Sequence, residues 1–236
     1  GSATVGNGNG TESIPTSWAP ALKTTPTSIY NGGTQDDFIV GTTINQSLYG
    51  NGGNDVVNGG GGSDKLDGGT HYNGPSTGSN GNSGSPFGDT VSFQANGPYV
   101  KRWSNPFGST YAASTMGYAN PYAGGVVINL VTHTYSYKSG SGQATNFQSV
   151  WGSDGNDTIT GDNLGDYLYG GAGNDTITSG TGNDWIQGGS GNNTLDGGAG
   201  DNWLDYSYLL GGPQYKPVDF SYLRGSVNYF PAEPFP

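Results

Sequence analysis

An aliphatic side chain returns at every ninth position over two long stretches of this chain. Residues Gly152 to Asp205 divide without a gap into six ninths, GSDGNDTIT, GDNLGDYLY, GGAGNDTIT, SGTGNDWIQ, GGSGNNTLD and GGAGDNWLD. Residues Gly32 to Asp67 give four more, and an eleventh begins at Gly68-Gly69 and finishes at Gly88 to Ser92, with His71 to Phe87 inserted in its turn. The eighth position holds Ile39, Leu48, Val57, Leu66, Val91, Ile159, Leu168, Ile177, Ile186, Leu195 and Leu204. Only 31 of the 236 residues are Ile, Leu or Val, so composition alone does not place one in every unit. The pattern predicts a glycine-rich turn over six positions and a short strand over the last three, with its middle side chain inward. One inward residue per ninth cannot enclose a core alone, so two ninths complete a coil and residues eighteen apart stack.

The sixth position is acidic in eight of the eleven units: Asp37, Asp55, Asp64, Asp89, Asp157, Asp166, Asp175 and Asp184, with Gln46, Asn193 and Asn202 as exceptions. This in-phase recurrence of Gly, Asp and an aliphatic residue resembles the hemolysin-type, or RTX, nonapeptide GGxGxDxUx. The segment Gly125 to Asp162 resembles the strand pair that often leads into such arrays. The resemblance implies an all-β fold, a parallel β-roll with several calcium ions held between successive Gly/Asp turns.

The physical reading of the same residues agrees. Stacking puts Asp157 over Asp175, Asp166 over Asp184 and Asp37 over Asp55, each about one strand spacing, ~4.8 Å, apart. Bare carboxylates at that distance repel, and a hard divalent cation reverses the sign. Carbonyls of the turn glycines, Gly53, Gly62, Gly155, Gly173, Gly182 and Gly191, are the candidates to complete an oxygen shell. Asp55 and Asp89 make a further pair if the insertion loops outward. With one aliphatic side chain per nine residues the core is thin, so the chain is expected to fold only as it binds metal. The alternative is that these Asp residues serve only as turn formers. At Asn193 and Asn202 the last two turns should bind weakly or close without an ion, and Gln46 weakens the site shared with Asp64.

Outward positions sort into two faces. One carries Thr158, Thr160, Thr176, Thr178 and Thr194, and the other an aromatic ladder of Tyr167, Trp185 and Trp203. Cross-strand packing explains either row. The threonines also suit a flat array for ice or another ordered surface, and the rings suit a platform for sugar. Three rings in line are too much apolar surface to leave in water, so either the tail or the segment Tyr99 to Tyr122 is expected to cover them.

These boundaries divide the chain into an N-terminal extended segment (1–31), a first nonapeptide array (32–92, with the 71–87 insertion), and a Tyr/Asn-rich loop with bridging strands (93–151). A second array (152–205) and an aromatic, Pro-rich C-terminal cap (206–236) complete it. One continuous roll is the preferred architecture, bridged by strands at 126–131 and 147–151, with two separate rolls as the alternative. Arg102 and Trp103, in the least repeat-like stretch, join Tyr167, Trp185 and Trp203 as a candidate platform for a glycan or peptide.

Composition narrows the partners. Seven basic against 18 acidic residues give a net charge of −11, which argues against nucleic acid and favours a cation. No run approaches the ~20 apolar residues of a membrane span. There is no Cys, and the two His, His71 and His133, stand in no zinc spacing. Glu12 and Glu233 are the only glutamates, and no Gly-x-Ser-x-Gly elbow occurs, so the chain is not expected to be an enzyme. The family resemblance implies a calcium-binding module of a secreted or cell-surface bacterial protein, exported by a type I system and folding where calcium is abundant. Two alternatives stand beside it: a calcium-dependent adhesin for glycan, peptide or ice, and a non-catalytic module fused to a larger secreted enzyme.

Overall fold

The computed structural model describes residues 4–7, 28–34, 37–70, 88–94, 120–204 and 226–229, and every regular element among them is a strand. β1 (Thr4–Asn7) and β2 (Ile29–Asn31) precede the first array, which supplies β3 (Asp37–Val40), β4 (Ser47–Tyr49), β5 (Val56–Asn58), β6 (Lys65–Asp67) and β7 (Thr90–Ser92). The bridging region forms β8 (Val126–Asn129), β9 (Thr134–Tyr137), β10 (Gly140–Thr145) and β11 (Ser149–Trp151). The second array gives β12 (Thr158–Thr160), β13 (Tyr167–Tyr169), β14 (Thr176–Thr178), β15 (Trp185–Gln187), β16 (Thr194–Asp196) and β17 (Asp201–Leu204), and β18 (Ser226–Tyr229) follows.

Alternate units fall on opposite sheets because each glycine turn reverses the chain after a three-residue strand. The first sheet runs β1-β3-β5-β7-β11-β13-β15-β17-β18 and the second β16-β14-β12-β8-β9-β10-β6-β4-β2. Repeat strands pair in parallel at a step of eighteen, Thr158 beside Thr176 and Tyr167 beside Trp185. The eighth-position side chains of both sheets meet in one apolar core, and none is more than 7 % exposed. Each strand is too short to be stable alone; the stack supplies both its ladder bonds and its core.

The two arrays join within these sheets. In the first sheet β7 pairs directly with β11, Val91 beside Val150. In the second, β10 continues from β6, β9 runs antiparallel between β10 and β8, and β8 leads into β12. The expected strands at 126–131 and 147–151 appear as β8 and β11, whereas the antiparallel β9 and its partner β10 have no counterpart in the nonapeptide pattern. This splice is filled by rings. Phe93 and Tyr122 meet edge to face at 5.1 Å, Phe93 and Tyr135 lie 5.3 Å apart, and Tyr122 meets Tyr137 at 4.9 Å. Gly142 makes room for them, since a Cβ there would sit 2.7 Å from the Tyr135 ring.

The first sheet is extended at both ends, by β1 antiparallel to β3 and by β18 parallel to β17. The second ends at β2 and β16. From the expected aromatic cap, the described portion is β18, which lies beside the last strand as an added edge. The faces differ as the repeat suggested. Described outward positions of the first sheet are buried or half-buried, Thr90, Ser92 and Ser149 completely. Those of the second are open, with Val127 51 % exposed and Thr158, Thr176 and Thr194 exposed beside it. The insertion 71–87, the segment 95–119 and most of the tail lie outside the described residues.

Candidate metal centre

Most sixth-position carboxylates turn into the edge of the roll, where they meet the backbone of the coil before them. Asp157 N–H donates to Asp175 Oδ1 at 2.9 Å, and Asp166 N–H to Asp184 Oδ1 at 2.8 Å. Asp37 N–H donates to Asp55 Oδ1 at 2.7 Å, and Asp55 N–H to Asp89 Oδ1 at 2.6 Å. The last bond spans 34 residues where the regular step is 18, so the coil closes across the insertion and Asp89 joins the stack. Seven of the eight carboxylates therefore stand in three runs: Asp37, Asp55 and Asp89; Asp157 and Asp175; Asp166 and Asp184. The eighth, Asp64, accepts Gln46 N–H at 2.8 Å.

A second contact fixes part of the ladder. At Asp157 and Asp166 the outer carboxylate oxygen accepts the N–H at position two of its own unit, from Ser153 at 2.6 Å and from Asp162 at 2.8 Å. The first-position glycine is needed for this closure: a Cβ on Gly59 would stand 2.6 Å from Asp64 Oδ2. Outside this ladder runs another, at position five, where Asn156 Oδ1 accepts Asn174 N–H and Asn174 Oδ1 accepts Asn192 N–H, each at 2.8 Å. Two side-chain columns thus tie successive turns together on each coil.

Burial dominates the electrostatics. Asp166 is pushed up to about 8, Asp175 and Asp64 to about 7, and Asp157 to about 6. Loss of solvent is the largest cause in each. Accepted N–H bonds pull back, and the stacked carboxylate adds a smaller upward push, from Asp184 on Asp166 and from Asp157 on Asp175. Repulsion between stacked carboxylates is thus the smaller cost and desolvation the larger, because backbone N–H groups lie between the stacked charges. Some of these oxygens lack even that support. Asp175 Oδ2 and Asp166 Oδ1 are buried without a hydrogen-bond partner. For Asp166 the reason is the splice: the Gln148 N–H that a regular coil would offer donates instead to Asp89 O at 3.0 Å.

This donor set fits a hard cation. It is all oxygen, it holds carboxylates that burial makes costly to ionise alone, and it stacks turn carbonyls in columns. A Cβ on Gly173 would meet Gly155 O, on Gly191 it would meet Gly173 O, and on Gly200 it would meet Gly182 O. Among the described residues no three Asp, Glu, His or Cys side chains converge, so an ion would draw on such carbonyls for most of its shell.

The candidate sites are not equivalent. Gly62 and Asp64 are engaged by the splice: Tyr137 Oη accepts Gly62 N–H at 2.8 Å and donates to Gly62 O at 2.7 Å, while Tyr135 Oη accepts Asp64 N–H at 3.2 Å. The Tyr135 hydroxyl stands where the next coil's carboxylate would be. At the other end, amides substitute for carboxylates. Asn193 and Asn202 accept the N–H of Asp175 and Asp184 at 2.8 and 3.0 Å, and Asn202 Nδ2 donates to Gly197 O at 2.5 Å. At Gly197 an N–H donor thus faces a turn carbonyl that a cation would otherwise draw on.

Tyr167, Trp185 and Trp203 do form one column, with Trp185 and Trp203 stacked at 6.1 Å and 15°. Tyr167 is 8 % exposed, which makes it a packed residue. Gly53 lies in its turn with positive φ. Arg102 and Trp103 lie outside the described residues. The sequence reading missed Gln148, whose Oε1 accepts Asp89 N–H at 3.0 Å. Its signal was present: Gln148 and Val150 stand nine residues before Asp157 and Ile159, a degenerate unit in register. The two tyrosines had no such signal.

A family model described as RTX calcium-binding nonapeptide repeat, in four copies, matches residues 40–70, 151–186 and 178–207. No curated protein matches the chain.

Proposed function

We propose that this chain, which carries RTX calcium-binding nonapeptide repeats, is a non-catalytic calcium-binding β-roll module of a secreted or cell-surface protein, completing its fold outside the cell. The observation that carries this reading is the buried carboxylate stack, above all Asp175 Oδ2 and Asp166 Oδ1, which no hydrogen-bond donor reaches. Calcium bound there would supply positive charge and a ligand-hungry centre between coils. The chain's own part is to hold the carboxylates in register through the N–H ladder, to keep water out with the glycine turns, and to offer carbonyls at Gly155, Gly173 and Gly182. Metal-free, the same buried charges oppose folding, so ion binding and completion of the roll are coupled. A chain of this kind stays open where calcium is scarce, and type I export to a calcium-rich exterior accords with that.

The test is a calcium titration of chelator-stripped protein followed by far-UV circular dichroism, with magnesium in parallel. A cooperative gain of strand signal with calcium alone is expected. A strand spectrum already complete in chelator and unchanged by calcium would overturn the proposal and leave the Asp residues as turn formers.

A further inference from the structure

Beside the second sheet, Tyr49, Asn51, Asp67, Gly69, Thr70 and Asn146 line a cleft of about 370 Å³. Its floor comes from neighbouring strands, since Tyr49 on β4 pairs with Asp67 on β6. One wall is the turn pair Asn51 and Thr70, tied by Thr70 Oγ1 to Asn51 O at 2.9 Å. The other is Asn146, whose Nδ2 donates to Asp67 Oδ1 at 2.7 Å and so orients the carboxylate. The Lys65 ammonium lies 5.3 Å from the centre of the Tyr49 ring.

The backbone at this cleft departs from the repeat. Asn51 stands at position two, where other units put left-handed glycine such as Gly69 and Gly171, and Asn146 follows β10 and stacks on Gly68, at the place of a unit's first glycine. Asn51 has φ 76° and Asn146 φ 60°, two of the three positive-φ non-glycine residues among those described. Asparagine tolerates that region better than most residues but still less well than glycine. At both places a side-chain amide replaces the residue that the coil geometry prefers, and both amides line the same cleft.

We propose that this cleft is a binding site for a pyranose unit of a glycan. One aromatic ring beside a carboxylate, two amides and a hydroxyl matches a sugar, which has an apolar C–H face and a rim of hydroxyls. A bare metal ion suits it less, because an amide N–H already occupies Asp67 Oδ1 and the Lys65 ammonium is close by. None of its residues stands at position six, but Asn51, Gly69 and Thr70 belong to the turns of Asp55 and Asp89, so the site is tested on the calcium-loaded roll.

The experiment uses the full chain in calcium and follows backbone amide shifts by NMR while D-glucose, D-galactose, D-mannose and N-acetyl-D-glucosamine are titrated separately. At least one sugar should give saturable shifts at Tyr49, Asn51, Thr70 and Asn146, and Tyr49→Ala should weaken it on the order of tenfold. The double variant Asn51→Gly/Asn146→Gly restores the residue used elsewhere in the repeat, so it should keep the strand spectrum and lose the sugar. Absence of saturable shifts at those amides with all four sugars, or full binding by a folded Asn51→Gly/Asn146→Gly protein, would overturn the site. Circular dichroism against calcium reads the roll separately, so failure here is distinct from failure of the metal assignment.

Discussion

Replacing Asp175 by Asn separates the two things a sixth-position carboxylate does. Its Oδ1 accepts Asp157 N–H at 2.9 Å, a bond that an amide oxygen keeps. Its Oδ2 is buried with no donor, and leaving a buried acceptor unsatisfied costs about 1–3 kcal/mol. Asparagine puts an N–H donor there and removes the charge that burial makes unfavourable. Asn193 and Asn202 already use this arrangement one coil on. In chelator, Asp175→Asn should therefore stabilise the roll by roughly 1–3 kcal/mol. In calcium the sign reverses, because one site loses its charge; a site filled at a hundred times its Kd contributes about 2.7 kcal/mol. The assay is far-UV circular dichroism along two titrations, calcium without osmolyte, and trimethylamine N-oxide in chelator to bring the apo chain into its folding transition. The variant should fold at lower osmolyte than wild type and respond less to calcium. A variant less stable than wild type in chelator, with an undiminished calcium response, would refute both the desolvation argument and the role of Asp175.

Acidity gives a second prediction. The carboxyls of Asp64, Asp157, Asp166 and Asp175 are raised to between about 6 and about 8 when folded, so the native state holds protons that the unfolded chain has released. Metal-free stability is then fullest below about pH 4 and is lost as pH rises through 6 to 8; strand signal in chelator should grow on acidification, while the calcium concentration needed at midpoint should rise. Gly59→Ala should unfold the first array, since its Cβ would stand 2.6 Å from Asp64 Oδ2, whereas Gly52→Ala meets nothing nearer than 3.6 Å and should be tolerated; thermal melts of both in calcium decide it. Tyr135→Phe keeps the ring and strips the acceptor from buried Asp64 N–H, a loss of about 1–3 kcal/mol in chemical denaturation, and an unchanged midpoint would show that water replaces the hydroxyl.

The coil was legible because its constraints repeat. An inward aliphatic residue at position eight and a carboxylate at position six recur at fixed spacing, and Ile39, Asp55 and Leu204 lie where that spacing puts them. Even Asp89, displaced by sixteen extra residues, could be assigned because its unit resumes in phase. The splice was not legible, since it depends on contacts that occur once. Nothing local marks Tyr135 and Tyr137 as reaching Asp64 and Gly62 more than seventy residues away, and β9 runs against the direction that the period teaches. The dominance of desolvation was out of reach for a related reason: the spacing reveals which charges stack but not which backbone N–H groups stand between them. The cleft at Tyr49 went unread because two of its walls are single asparagines at glycine positions, which look like noise in a repeat.

The splice also sets an order of events in time. Within the second array each contact joins residues eighteen apart, a short loop to close, so coils can add one after another as a zipper does. The splice bonds instead span 59 residues from Asp89 to Gln148 and 71 from Asp64 to Tyr135. Closing such loops before either array exists would cost chain entropy with little return, which places docking late. Calcium would then start two short zippers independently, and the aromatic plug of Phe93, Tyr122, Tyr135 and Tyr137 would be the slow latch between them. Refolding should show a fast phase that carries the strand signal and a slower one that carries tyrosine burial, with the gap between them set by the plug and not by the ion.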